Sequence, residues 1–173
     1  MNIGIFGITA NPVHLGHLNA ANYASELLDE IWISPVYKHP FGKEFIAYEH
    51  RKKMLSIMFK KYGNKNIVLK ELDKDFYLEH NEMIYSYLLL NDVSKKNPGN
   101  NFKLIIGEDN YKPEVWSKFK YNQDIERDYG VVCVPDKGSH SSEIRPMILN
   151  GDSIEHLVSK EVEDYIKENK LYG

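Results

Sequence analysis

The sequence predicts an α/β fold: a Rossmann-like, doubly wound, mainly parallel five-stranded sheet with helices on both faces. Three observations predict it. Short apolar runs of β-forming residues alternate with longer segments of helical periodicity along the chain. Several of those runs are apolar throughout rather than alternating, which suits strands covered on both sides. Gly7, Pro35, Gly107 and Pro135 stand where the runs end, and it is beyond such strand ends that doubly wound folds bind ligands. With 173 residues, 42% of them hydrophobic and 27% charged, the chain reads as one domain, residues 1–173, with enough apolar side chains for a core.

The strands are expected at residues 3–6, 30–35, 67–72, 102–106 and 130–135, and the helices at 15–28, 46–61, 82–90, 113–118, 142–149 and 159–167. The first helix carries Ala20, Ala21 and Ala24, small residues that allow close approach to the sheet. The next helix places Met54, Leu55 and Met58 at helical spacing, a core stripe. Residues 95–101 form a surface turn. Cys133 lies in the apolar run 131–134 and is expected to be a buried thiol; as the single cysteine it forms no internal disulfide. A net charge of −3 gives no electrostatic case for a nucleic-acid partner. No apolar run approaches the ~20 residues of a membrane span, and the first strand follows Met1 with no leader between, so a cytoplasmic location is expected. Homo-oligomerisation is left open.

The stretch Gly7-Ile8-Thr9-Ala10-Asn11-Pro12-Val13-His14-Leu15-Gly16-His17 sits where the first strand gives way to the first helix. A helix start offers unpaired backbone N–H groups and a partial positive charge, a seat for phosphate. Histidines three residues apart share one helix face, and Gly16 between them leaves room for a ligand to approach the backbone. A zinc site at His14 and His17 is disfavoured, because no third ligand lies nearby and the HExxH pattern is absent. Near the other end, Ser141-Ser142-Glu143-Ile144-Arg145 reads as a serine-capped helix start with an arginine one turn inside.

The first stretch, GxTxxPxHxGH, resembles the signature of the HxGH nucleotidyltransferase superfamily, and Ser141-Ser142-Glu143-Ile144-Arg145 resembles its second signature. Within that superfamily the chain is similar, over nearly its whole length, to the nicotinate/nicotinamide mononucleotide adenylyltransferases. The resemblance implies transfer of AMP from ATP to nicotinamide or nicotinate mononucleotide with Mg²⁺, forming NAD or its deamido form and pyrophosphate. His14, His17 and Arg145 would be catalytic. Gly7, Ile8, Thr9, Gly16, Lys43, Gly107, Asp109, Ser141 and Ser142 would bind ATP and its phosphates. Tyr85 and Trp116 would meet the pyridine nucleotide.

Several of these residues have a second reading. Asp109 could accept ribose hydroxyls, help hold Mg²⁺ through water, or cap the following helix. Trp116 could stack on the cationic pyridine ring or sit in the core. Tyr85 fits a pyridine pocket and an amphipathic helix equally. Lys43, in Phe41-Gly42-Lys43, could reach phosphate; Lys38 fits a solvated turn, and Lys137 keeps a charge where relatives often carry an arginine. Arg51 could support the preceding loop by ion pairing or be a solvated helix residue. Ala10 and Asn11 depart from the family's usual phenylalanine and aspartate, and His140 from its usual serine. Met83 and Tyr85 stand where bacterial relatives carry polar residues, which leaves the acid–amide choice open. Two other readings remain: a related phosphopantetheine or cytidylyl transferase, and a nucleotide-binding regulatory module without catalysis.

Overall fold

A computed structural model of the chain describes residues 1–38, 45–136 and 140–173. Five strands, β1 (Asn2–Ile8), β2 (Glu30–Pro35), β3 (Ile67–Leu69), β4 (Asn101–Gly107) and β5 (Val131–Val134), form one sheet in the order β3-β2-β1-β4-β5. Every neighbouring pair is parallel. The chain runs outward from β1 to β3 and then crosses back to place β4 on the other side of β1. That reversal opens a crevice between the carboxyl ends of β1 and β4, the place where such sheets take ligands.

Side chains on successive strand residues point to opposite faces, so the strands feed two cores. Phe6 and Ile8 of β1, Ile31 and Ile33 of β2 and Ile105 of β4 join one buried cluster. That cluster is closed by α1 (Leu15–Ser25), α2 (Tyr48–Tyr62), α8 (Ser141–Leu149) and α9 (Lys160–Glu168). Ile3, Ile5, Trp32, Phe102, Leu104 and Ile106 join the other. It is covered by α3 (Leu72–His80), α4 (Ser86–Lys96), α6 (Pro113–Trp116) and α7 (Asn122–Asp128), with the short α5 (Glu108–Tyr111) leading from β4 into α6. Among the described residues no helix is long and apolar enough to cross a membrane.

Three expectations are corrected. The third strand stops at Leu69, because Leu72 begins α3, a helix the sequence reading missed. Ser34, buried at the end of β2, makes that start: its hydroxyl accepts from Leu72 N and Asp73 N and lies 3.3 Å from the Asp73 carboxylate. Helix α7 was also missed. Cys133 is exposed rather than buried. Strand β5 is the edge of the sheet: Val132 and Val134 face the first core and Val131 packs against the second, while Cys133, on the same side as Val131, stays exposed.

Candidate active site

The β1–α1 turn is held by the histidines of its own motif. His14 is the N-cap of α1. Its Nδ1 accepts from Gly16 N at 3.1 Å, and His17 Nδ1 accepts from His14 N at 3.2 Å, a reciprocal capping arrangement built from two imidazoles. The Leu15 N–H donates to Leu157 O at 2.9 Å. The first N–H groups of α1 are therefore already used, which corrects the expectation that they would seat a phosphate. What the turn offers instead are the ring donors. An Nδ1 that accepts a backbone N–H carries no proton, so each neutral ring carries its proton on Nε2. Burial, with His140 nearby, lowers the His14 pKa to about 4. Burial, then His14 and His140, holds His17 well below the ordinary histidine range. The two rings stack with centroids 3.7 Å apart. At neutral pH the pair is uncharged and presents two N–H donors.

Opposite stands the start of α8. His140 occupies its N-cap position but makes no side-chain cap bond. The Ser141 hydroxyl turns instead to Pro12 O at 2.8 Å, and Arg145 Nη1 donates to Asn11 O at 2.9 Å. Both signatures are thereby bolted together through backbone carbonyls of the β1–α1 turn. Between them lies a cavity of ≈ 600 Å³. Gly7, Ile8, Thr9, His14, Gly16, His17, Gly107, Ser141, Ser142 and Arg145 line it, so the structure brings these ten expected residues together. A Cβ on Gly7 would meet nothing in the protein closer than 4.0 Å, and one on Gly107 nothing closer than the Asp136 carboxylate at 3.5 Å. Core packing does not demand glycine at either position, and the open side allows close approach of a ligand to the backbone.

Other expected residues lie elsewhere. Asp109 is not on the lining and does not cap α5, whose N-cap is Gly107. It pairs with Lys112 at 3.3 Å and shares a hydrogen bond with Asp136, which does line the cavity. Burial, and Asp109 beside it, raise the Asp136 carboxyl above its ordinary value. Trp116 is 7% exposed in the second core, stacked on Phe119 at 4.9 Å and edge-on to Tyr111 at 5.2 Å, with its Nε1 buried and unbonded. Helix α6 points it under the sheet, which is why it misses the cavity. Tyr85 occupies the N-cap position of α4 without a side-chain cap bond and packs edge-on to Tyr121 beneath Lys120, also off the lining. Lys38 donates to Tyr77 Oη at 2.8 Å and sits over that ring, a surface role. Lys43 and Lys137 lie outside the described residues.

The sequence reading did not single out Asn11, Asn110, Asp136 or His140 as lining residues. Asn11 and His140 were visible inside the two signatures, and Asp136 follows a strand end as Gly107 does. The described lining offers one carboxylate, Asp136. Among the described residues the three-ligand group Glu79, His80 and Asp92 lies off the cavity, and Lys96 already pairs with both of its carboxylates.

Comparison with known proteins agrees with this fold. The cytidylyltransferase-like family model matches residues 5–173. A probable nicotinate-nucleotide adenylyltransferase of Cytophaga hutchinsonii is 30% identical, over 100% of this chain and 99% of that protein. One from Bacillus cytotoxicus is 29% identical over 98% and 97%. The crystal structure of a putative nicotinate-nucleotide adenylyltransferase from Vibrio parahaemolyticus shares the fold, with a TM-score of 0.83 at 24% identity, covering 99% of this chain and 94% of that one. The Plasmodium falciparum nicotinic acid mononucleotide adenylyltransferase complexed with NaAD superposes with a TM-score of 0.75 at 22% identity, covering 99% and 97%. A strand-to-helix turn capped by its own two histidines, facing a second helix start across the β1–β4 crevice, thus sits in a chain that belongs to the cytidylyltransferase-like family and is a nucleotidyltransferase related to the nicotinate-nucleotide adenylyltransferases.

Proposed function

We propose that this enzyme transfers the adenylyl group of ATP to nicotinate mononucleotide. The observation that carries the reading is the pair of neutral, Nε2-protonated imidazoles of His14 and His17 facing the uncapped start of α8 and Arg145. The nucleophile is a 5′-phosphate oxygen of the mononucleotide, already ionised near neutral pH, so no general base is required. A bond forms from that oxygen to the α-phosphorus of ATP. The bond from the α-phosphorus to the oxygen bridging to the β-phosphate breaks, and pyrophosphate leaves with the electron pair. Catalysis then consists of placement and charge stabilisation. The imidazole donors would hold phosphate oxygens in line, and Ser141, Ser142 and Arg145 would receive the β- and γ-phosphates. Gly7, Ile8, Thr9, Gly16 and Gly107 would let the nucleotide lie against the backbone. Asp109 would act through Asp136.

Mg²⁺ fits a lining with a single carboxylate, because this ion keeps most of its waters and binds mainly through substrate phosphates; it would neutralise phosphate charge. The nicotinate form follows the activity for which the relatives are named. Its pyridine would lie toward Tyr85 and Trp116. Asn110 on the lining adjoins Tyr111, whose ring touches Trp116, so the indole lies next in line but must leave its seat against Phe119 to meet a ligand.

The test is pyrophosphate release with ATP and Mg²⁺, comparing nicotinate mononucleotide, nicotinamide mononucleotide and phosphopantetheine, with His17→Ala as control. Release is expected with nicotinate mononucleotide and should fall about 10²–10³-fold in the control. Release only with phosphopantetheine moves the protein to another branch of the family. ATP binding without release from any of the three supports the non-catalytic module instead.

A further inference from the structure

Arg51 is 2% exposed, on the first turn of α2. It does not line the cavity. Its Nη1 donates to Thr9 O at 2.9 Å and to Val36 O at 2.6 Å, and its Nε donates to Ile46 O at 3.0 Å. These carbonyls belong to separate segments. Thr9 is in the β1–α1 turn and on the cavity lining. Val36 directly follows β2, and Ile46 precedes α2, so they are the two stems of one connection. Phe45, also on the lining, lies with its ring 4.9 Å from the guanidinium carbon.

A guanidinium buried this deeply is an expensive way to fix a turn. Hydrogen bonding to carbonyls is something water could supply at a surface. Here the three bonds run in different directions from one planar group, and only a fork of fixed geometry can make them together. Arg145 grips the same turn two residues on, through Asn11 O, but does so from inside the cavity. The turn is thus clamped on its ligand side by Arg145 and on its core side by Arg51.

We infer that Arg51 is a positioning residue for the nucleotide cavity: through Thr9 O, Val36 O and Ile46 O it locks the β1–α1 turn and both stems of the β2–α2 connection into one rigid wall. It touches no reacting atom. It sets where the His14 and His17 donors stand relative to Phe45 and the cavity mouth. The inference uses the adenylyl-transfer reading for its kinetic consequence and stands apart from that reading in its structural one.

The experiment compares wild type with Arg51→Lys, Arg51→Met and Met58→Ala. Met58 is fully buried in the same core, on the same helix, and off the cavity lining, so its variant reports loss of stability alone. A lysine can satisfy one or two of the carbonyls without the fork. Arg51→Lys is expected to fold and to raise the KM for ATP about tenfold, with a smaller fall in kcat. Met58→Ala should lower the Tm and leave that KM unchanged. Should Arg51→Met fail to fold, the lysine variant decides. A KM within about twofold of wild type in Arg51→Lys overturns the inference, as does an equal rise in Met58→Ala. The ¹⁵N signals of the His14 and His17 rings are read on the same samples. They are expected to move in Arg51→Lys and to stay in Met58→Ala; no movement in Arg51→Lys also overturns the inference. These signals need no turnover. If wild type releases no pyrophosphate, the adenylyl-transfer reading fails, and the ring signals alone decide the role of Arg51.

Discussion

Two helix starts face each other across the cavity, and they are built in opposite ways. Helix α1 is capped from within, its first N–H groups taken by His14 Nδ1 and by Leu157 O. Helix α8 has no side-chain cap, and its serine hydroxyl reaches away to Pro12 O. A capped start has no backbone donors left for an anion, so on the proposed reading α1 would meet a phosphate with its imidazole N–H groups. An uncapped start keeps its own donors and its partial positive charge, so α8 is suited to hold phosphates that stay bound together as they leave. On the proposed adenylyl-transfer reading, this difference would place α1 at the point of reaction and α8 at the leaving group.

The largest effect should come from separating the two tasks of His14. His14→Ala removes the cap and the donor together. It should cost about 1 kcal/mol of stability and about 10²–10³-fold in kcat. His14→Asn keeps a strong N-capping side chain but places no N–H where the imidazole Nε2 stood. Its Tm should return to within a degree or two of wild type, on the scale of about 0.3 kcal/mol, with kcat still at the level of the alanine variant. Recovery of both in the asparagine variant would show that capping alone matters, and the contrast between the helices would collapse. Thermal melts with pyrophosphate-release assays on the same samples decide it.

A second, somewhat smaller effect is in acid. Burial lowers the His14 pKa in the folded protein to about 4, while the unfolded chain keeps the ordinary value of 6.5. Between these limits the unfolded state binds the extra proton, so stability is lost as pH falls from 6.5 towards 4, by up to about 3 kcal/mol. His17 acts in the same direction. Asp73 works the other way: burial raises its carboxyl to about 7, so its contribution is lost as pH rises towards 7. Comparison with His14→Asn cancels the Asp73 contribution. Wild type should lose stability relative to that variant across pH 6.5 to 4 in denaturant titrations. A constant difference over that window would mean that His14 is not held neutral, and the donor assignment would fail with it.

The two facing stretches were legible in the sequence because their parts are local, but their contrast was not: free donors were expected at α1 and a serine cap at α8, and the structure has the reverse. The GxTxxPxHxGH stretch carries turn, cap and donors within eleven consecutive residues, and the serine-rich stretch carries the second helix start within five. The sheet was legible for the same reason, since β2 is a run whose apolar character needs no partner to be seen. What escaped depends on distant contacts. Arg51 could be read as a support for the preceding loop, but its hydrogen bonds to carbonyls 5, 15 and 42 positions away could not. The start of α3 depends on Ser34, 38 residues earlier. The choice between the two readings of Trp116, and the exposure of Cys133, depend on which elements cover each part of the sheet. The free backbone donors expected at α1 were lost to a cap that uses histidine, a residue outside the usual capping set.

The smallest effect tests α8 directly. His140 stands at its N-cap without making a cap bond, although it lines the cavity. An aspartate at that position can accept from the second or third N–H of the helix, and its charge meets the positive end of the dipole. His140→Asp should therefore stabilise the free protein by about 1 kcal/mol, a gain visible as a rise in Tm. The same carboxylate would occupy the donors that α8 keeps for phosphate and would repel the phosphate itself. The KM for ATP should rise as the Tm rises, an opposition between stability and substrate affinity that no corresponding change at α1 produces, because α1 is already capped. A variant that gains stability and binds ATP as before would show that phosphate does not rest on the start of α8, and the leaving-group role would then fall to Arg145 alone.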